Sequence, residues 1–202
     1  MEAMPLPSRA PQPHLARLRG HAVPAFAAGL GIAASLATEA GPGGILAAGL
    51  AVATVAIATI DARRFLIPDG LNALGVGLGL AHAAALALPG EAVPAVALAG
   101  LRGVVTALAF LALRSAYFRL RGREGLGLGD VKLAAVAGVW LDWTTLPLAI
   151  DLAALAALAA IGIRQVATGR TMRATGRLPF GLFLAPAIFI GWLGERWLAA
   201  GI

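Results

Sequence analysis

The sequence contains no cysteine and few charged residues. Without cysteine the chain cannot form disulfide bonds, cysteine-ligated zinc sites, thioether-linked haem or a thiol nucleophile. Charged residues make up 13% of the chain, about half of their usual share in a soluble domain, whereas 59% of the residues are hydrophobic. Such a chain has too much apolar surface to be disordered and too little charge to cover a water-soluble fold. The composition therefore predicts a compact membrane protein.

A proline-rich basic segment, residues 1–20, precedes seven apolar stretches, and we expect it to form a flexible cytoplasmic tail. A membrane core about 30 Å thick requires about 20 helical residues. The fifth stretch is the weakest candidate, since its residues would rise only about 18 Å. For the first stretch, the alternative is a cleaved signal peptide. Residues 21–202 are predicted to form one domain, an all-α bundle of about seven transmembrane helices. The predicted helices cover residues 22–38, 43–60, 71–88, 93–113, 130–141, 145–163 and 179–200.

Basic residues are concentrated on one side of this predicted bundle. If the N-terminus is cytoplasmic and every stretch crosses, the three inner loops hold ten arginines and the outer loops hold no lysine or arginine. Cytoplasmic loops of membrane proteins carry such an excess. We therefore predict a cytoplasmic N-terminus, an outer C-terminus and contacts with membrane lipids. The net charge of +6 then reflects orientation and not a nucleic-acid partner. Four tryptophans are expected in an interfacial belt at the outer face: Trp140, Trp143, Trp192 and Trp197.

Two aspartates stand at the predicted cytoplasmic face. Asp61 directly follows the apolar run AVATVAIATI, and Asp130 opens the fifth stretch within GLGLGDVKLAA. Two carboxyl groups in close contact do not both ionise easily, so one keeps its proton near neutral pH. An aspartic protease uses such a pair, one member as the base on water and the other as a donor to the scissile carbonyl. Each aspartate could instead be structural, Asp130 as a helix cap and Asp61 as an interfacial charge beside Arg63 and Arg64.

Alternating glycines precede Asp130 at positions 125, 127 and 129. Glycine permits unusual backbone angles and lets another chain approach closely, so this segment could admit an extended substrate. It could equally be a flexible loop in a glycine-rich protein. Lys132 lies two residues after Asp130 and cannot share its helical face. We expect its side chain to extend towards lipid headgroups or to contact the loop.

Three segments resemble the type IV prepilin peptidases, bacterial members of the GxGD membrane aspartyl proteases. They are DARRFLIPDGL at 61–71, GLGLGDVKLAA at 125–135 and LPFGLFLAPA at 178–187. The resemblance covers about residues 45–200. It implies a six-helix peptidase core, here preceded by one N-terminal helix.

The resemblance also implies a reaction and a site. Asp61 and Asp130 match the catalytic pair of the family. The substrates are prepilins or pseudopilins, whose short basic leader is cut at the cytoplasmic face of the inner membrane, just before a hydrophobic helix. Pilus or secretion assembly proteins are further expected partners, and no metal or organic cofactor is implied. The residues expected to shape the site or contact substrate are Gly127, Gly129, Lys132, Pro68, Asp69, Pro179, Phe180 and Gly181.

The sequence departs from the family pattern at three points, the smallest of which is Gly-Leu-Phe in the third segment where Gly-Pro-Phe is common. Asp69 stands where the family usually has asparagine, and we expect it to cap the third helix. Long members of the family carry a Cys-rich cytoplasmic domain that accompanies N-methylation of the new pilin terminus, and this chain has no cysteine. It therefore resembles the short peptidases of tight-adherence (Tad) pilus systems, which cleave Flp-type prepilins, and methyltransferase activity is not expected.

A second polar group lies within the apolar stretches. Arg102, Asp151 and His82 are predicted at similar depths in the outer half of the bundle, roughly 9–13 Å from its outer face. We expect Arg102 and Asp151 to form a buried structural pair, with His82 beside them. As alternatives, these residues could form the polar core of a small transporter or assembly scaffold, or the GxGD chemistry could act on a different membrane peptide.

Overall fold

The computed structural model describes residues 13–169 and 179–201, with side chains from residue 22 onward. Those residues form seven helices and no strand, which confirms the all-α prediction. The helices are α1 (Pro13–Thr38), α2 (Pro42–Arg64), α3 (Asp69–Leu86), α4 (Ala92–Arg121), α5 (Leu128–Trp140), α6 (Thr145–Thr168) and α7 (Gly181–Ala199). Helix α1 includes the last residues of the predicted tail, and residues 1–12 of that tail lie outside the described part.

Four of the helices, α2, α4, α6 and α7, are long and apolar enough to cross a membrane. The chain is therefore a multi-pass membrane protein of helical-bundle type. The apolar part of α1, Ala22–Thr38, is shorter than these four. Helix α5 has only 13 residues, as its short apolar stretch predicted. Seven crossings with a cytoplasmic N-terminus remain a prediction.

Helix α5 is short but lies at the centre of the bundle. It contacts α3, α4 and α7, and most of its residues from Val131 to Trp140 are buried. Glycines allow these close approaches: a Cβ on Gly79 would lie 2.5 Å from the Val139 side chain, and one on Gly138 would lie 2.5 Å from the Arg102 carbonyl. Small residues at helix contacts are typical of membrane bundles, where backbone proximity replaces the hydrophobic effect.

The predicted tryptophan belt is wrong for two of its four members. Trp140 and Trp192 are buried in the core, and their rings meet edge to face at 6.4 Å. The Trp140 indole N–H donates a hydrogen bond to the Gly75 carbonyl over 2.8 Å. Its polar atom is therefore paired inside the bundle and does not need the membrane–water interface. Trp143 and Trp197 are exposed.

Helix α4 continues well beyond its apolar stretch and ends at Gly122. That glycine takes the left-handed conformation, with φ 65°, and its N–H donates to the Phe118 carbonyl over 2.8 Å. Arg119 and Arg121 lie in the last turn, where cations interact favourably with the helix dipole. Part of the predicted arginine-rich loop is thus helical, and this extension supports the segment that leads to Asp130.

Candidate active site

Asp61 lies in the last turn of α2 and is only 4% exposed. Its Oδ2 accepts a hydrogen bond of 3.0 Å from the backbone N–H of Leu182, the second residue of α7. The N-terminus of a helix carries unpaired N–H groups and a partial positive charge, both of which favour an anion. Gly181 is the first residue of α7 and allows the helix to approach this carboxyl group closely, since a Cβ there would lie 2.9 Å from Oδ2.

The chain reverses sharply after Asp61. Phe65 takes the left-handed conformation, with φ 52°, and its N–H donates to the Asp61 carbonyl over 2.9 Å. This turn returns Ile67 to the bundle, where it is buried between two glycines. A Cβ on Gly181 would lie 2.6 Å from the Ile67 side chain, and one on Gly129 would lie 3.1 Å from it. The three family-like segments therefore meet at one isoleucine.

Asp130 is the third residue of α5. Its Oδ2 accepts a hydrogen bond of 3.2 Å from the backbone N–H of Gly127, in the manner of a capping box. The capping role considered for Asp130 is therefore present. Capping engages one carboxyl oxygen and is compatible with a second role for the same side chain.

The extension of α4 holds the loop before Asp130 in place. Arg114 donates to the Leu126 carbonyl over 3.2 Å and forms an ion pair with Glu124. The backbone of Gly125 lies against the Tyr117 ring, since a Cβ there would be 2.5 Å from that ring. The glycine-rich segment is thus fixed by packing on α4 rather than being a free loop.

Asp61 and Asp130 line the same cavity of about 320 Å³, within the range of small-molecule and peptide pockets. Their carboxyl groups lie close enough to interact electrostatically. Within residues 13–169 and 179–201, no cluster of three or more histidine or acidic side chains is placed to hold a metal ion. The lining residues are Asp61, Phe65, Leu66, Ile67, Asp69, Gly127, Leu128, Gly129, Asp130 and Lys132.

The residues predicted to shape the site take different positions around this cavity. Gly127, Gly129, Asp69 and Lys132 line it. Pro68 is the N-cap residue of α3, and Pro179 and Phe180, both half-buried, immediately precede α7 and are not among the lining residues. Sequence reasoning missed four apolar lining residues, Phe65, Leu66, Ile67 and Leu128. The signal for the first three was a hydrophobic run between the end of a membrane helix and a proline.

The expected capping role of Asp69 is wrong. Asp69 is the first residue of α3, but the N-cap position belongs to Pro68 and no side-chain cap hydrogen bond forms there. The Asp69 carboxylate instead accepts from the Lys132 ammonium over 2.6 Å. Lys132 thus makes an ion pair across the cavity rim rather than extending towards lipid.

The predicted pair between Arg102 and Asp151 is also wrong. Arg102 donates to Asp142 over 2.5 Å and to the Gly138 carbonyl over 3.2 Å, so it binds the C-terminal end of α5. His82 is not part of that pair, because its Nε2 lies 3.0 Å from the Glu39 carboxylate. Asp151 is exposed on α6, a helix that packs mainly on α7, whereas Arg102 lies on α4.

Comparison with known proteins places the sequence in context. A model of the type IV leader peptidase family matches residues 45–162, more than half of the chain. A prepilin leader peptidase/N-methyltransferase of Burkholderia pseudomallei is 38% identical over 162 residues, which is 79% of this chain and 50% of that protein. The leader peptidase HopD of Salmonella typhimurium is 39% identical over 134 residues, 65% of this chain and 82% of the relative.

A further relative, a prepilin leader peptidase/N-methyltransferase of Aeromonas hydrophila, is 34% identical over 173 residues, 83% of this chain and 54% of that protein. The chain therefore spans about half the length of the two relatives whose names include a methyltransferase. The matched region contains all three aspartates that line the cavity, including Asp61 and Asp130. No solved structure matches the chain.

Proposed function

The chain belongs to the type IV leader peptidase family, and on that premise we propose that it is a membrane aspartic endopeptidase with Asp61 and Asp130 as its catalytic pair. One observation carries the proposal. The two aspartates are 69 positions apart in sequence and belong to different helices, yet both line one cavity. One carboxyl oxygen of each accepts a hydrogen bond from a backbone N–H. A carboxyl group held in this way keeps further lone pairs for water or a substrate.

The reaction follows from two carboxyl groups that share one proton. The ionised member takes a proton from a water molecule, whose oxygen attacks the carbonyl carbon of the scissile peptide bond. The protonated member donates a hydrogen bond to the carbonyl oxygen as negative charge develops there. The tetrahedral intermediate then collapses, the C–N bond breaks, and the leaving amine takes a proton from the pair. Gly127 and Gly129 line the cavity beside Asp130, where the absence of side chains leaves room for an extended substrate.

The substrate and the location are parts of the same proposal. The relatives are named leader peptidases or prepilin leader peptidases, which supports a prepilin or pseudopilin substrate, and we propose the Flp/Tad type. The arginine distribution supports the bacterial inner membrane, with the cavity at the cytoplasmic face, where such leaders are located. Methyltransferase activity, which the names of two relatives include, is outside this proposal.

The test is co-expression with a candidate prepilin and a mass measurement of the pilin N-terminus. We expect Asp61→Asn and Asp130→Asn each to lower cleavage by about a thousandfold or more, as loss of a group in a concerted catalytic unit does. Asp151→Asn is the matched control, since Asp151 is an exposed aspartate away from the cavity. Both variants must be inserted in the membrane in wild-type amounts. A wild-type cleavage rate in either cavity variant would exclude the proposed pair.

A further inference from the structure

The cavity contains an ion pair that the proposed reaction does not use. Asp69 on α3 and Lys132 on α5 both line the cavity, and their charged groups are 2.6 Å apart. The Asp69 side chain is 75% exposed and the Lys132 side chain is 48% exposed. An exposed ion pair contributes little net free energy, so an incoming charge can replace either partner without destabilising the fold.

The charges around the cavity indicate which partner is replaced. Three carboxyl groups line the cavity, those of Asp61, Asp69 and Asp130, against the single ammonium group of Lys132. A site with an excess of carboxyl groups attracts cations and repels anions. A substrate anion that approached Lys132 would also approach the carboxyl groups, whereas a substrate cation could take the position of the ammonium at Asp69.

The apolar lining suits the same occupant. Phe65 and Leu66 belong to the cavity wall and are more than half exposed. Lysine and arginine side chains place their methylene groups on apolar surface and their charged end group on a carboxylate. A wall with two apolar side chains and the exposed carboxylate of Asp69 provides both surfaces.

We propose that the Asp69 carboxylate binds a lysine or arginine side chain of the substrate. Lys132 forms an ion pair with this carboxylate in the absence of substrate and is displaced when the substrate binds. The inference rests on the proposed function, because it names the part of the substrate that the same cavity selects. Asp69 is a specificity residue in this proposal and takes no part in bond cleavage. Lys132 is displaced and not required for binding.

The test measures cleavage of two peptide substrates by each enzyme variant in detergent micelles. One peptide carries lysines on the leader side of the cleaved bond, and its partner carries glutamines at the same positions. We expect Asp69→Asn to lower kcat/KM for the lysine peptide about two- to fivefold, mainly through KM, as loss of an exposed ion pair does. The glutamine peptide should be cut equally by the wild type and the variant. Asp69→Glu, which keeps the carboxylate, should recover selectivity for the lysine peptide.

The Lys132→Gln variant distinguishes a substrate-binding role of Asp69 from a purely structural role of the ion pair between Asp69 and Lys132. If Asp69 binds the substrate, this variant should cut the lysine peptide at least as well as the wild type, because the carboxylate is already free. An equal loss for both peptides in Asp69→Asn, or the same loss of selectivity in Lys132→Gln, would overturn the subsite. The proposed function fails in a different way, if the wild type cuts neither peptide or if Asp61→Asn still cuts them.

Discussion

Polar groups cluster at both ends of α5, and the two clusters differ in how their charges are held. Beyond its C-terminal end lies a cluster that we call the outer-end cluster, after the face where the sequence predicts it; it comprises Arg102, Asp142, Glu195, His82 and Glu39. There Arg102 contacts Asp142, and His82 contacts Glu39. The Glu195 carboxylate accepts the Asp142 N–H over 2.7 Å. At the N-terminal end, the two proposed catalytic carboxyl groups are held by backbone N–H groups beside an open cavity.

This difference separates a structural role from a chemical one. A charge removed from water must be paired and hydrogen-bonded. In the outer-end cluster the largely buried Arg102 and His82 each have a carboxylate partner, and His82 also packs against Trp140 and Trp192. The acidic groups at the other end of α5 line a cavity that a substrate can enter, which is the arrangement expected of a functional site. Substitutions at the outer end should therefore change stability, and substitutions at the cavity should change cleavage.

Among substitutions that keep both catalytic carboxyl groups, the largest effect is expected from Gly181→Ala. The added Cβ would lie 2.9 Å from the Asp61 carboxyl oxygen and 2.6 Å from Ile67, so α7 or Asp61 must shift. Displacement of a reacting group by about 1 Å can lower a rate about a hundredfold. We expect a loss of that size in kcat/KM for a leader peptide, with the protein still inserted.

The control for this prediction lies on the same helix. A Cβ on Gly194 meets no atom within 4 Å, so Gly194→Ala should leave cleavage unchanged. Similar cleavage by both variants would show that the contact between Gly181 and Asp61 does not position the carboxyl group.

Arg102→Met is the corresponding substitution at the outer end. The Arg102 side chain is 12% exposed, and its loss leaves the Gly138 carbonyl and Asp142 without their cationic partner. We expect the free energy of unfolding in detergent to fall by about 1–3 kcal/mol, the range for a lost hydrogen bond to a charged group. Cleavage per folded molecule should stay within about twofold of the wild type.

An exposed arginine provides the control for this second prediction. Arg164→Met on α6 should change neither stability nor cleavage, because Arg164 is exposed. Loss of cleavage in folded Arg102→Met would instead support a functional polar core, as the transporter alternative requires.

The sequence predicted the position of each residue along its helix better than it predicted which helices are in contact. The apolar stretches located all seven helices, and three short segments located the aspartates that line the cavity. Hydropathy does not reveal which helices adjoin, so it could not show that α6 packs on α7 while Arg102 reaches the end of α5. The same limit applies to Trp140 and Trp192, since an outer position along a helix does not distinguish a lipid-facing ring from a buried one.

Asp69 shows a further limit of prediction from local pattern. An aspartate at the first residue of a helix is typical of a cap, yet its carboxylate pairs with Lys132, 63 positions away. Only the packing of α3 on α5 brings them together, and that packing depends on Gly75 and Gly79, whose missing side chains admit Val136 and Val139.

The smallest effect is expected from Glu39→Gln. Glu39 and His82 form the second pair of the outer-end cluster, with side chains 12% and 7% exposed. Glutamine retains an oxygen and an amide that can pair with either tautomer of a neutral imidazole. If the pair is held by hydrogen bonding rather than by charge, Glu39→Gln should change the free energy of unfolding by less than about 1 kcal/mol. Glu39→Ala should cost about 1–3 kcal/mol, since it leaves the buried His82 Nε2 without that partner. Equal destabilisation by the two substitutions, in detergent unfolding curves, would show that the charge of Glu39 is essential and that this pair is ionic like that of Arg102 and Asp142.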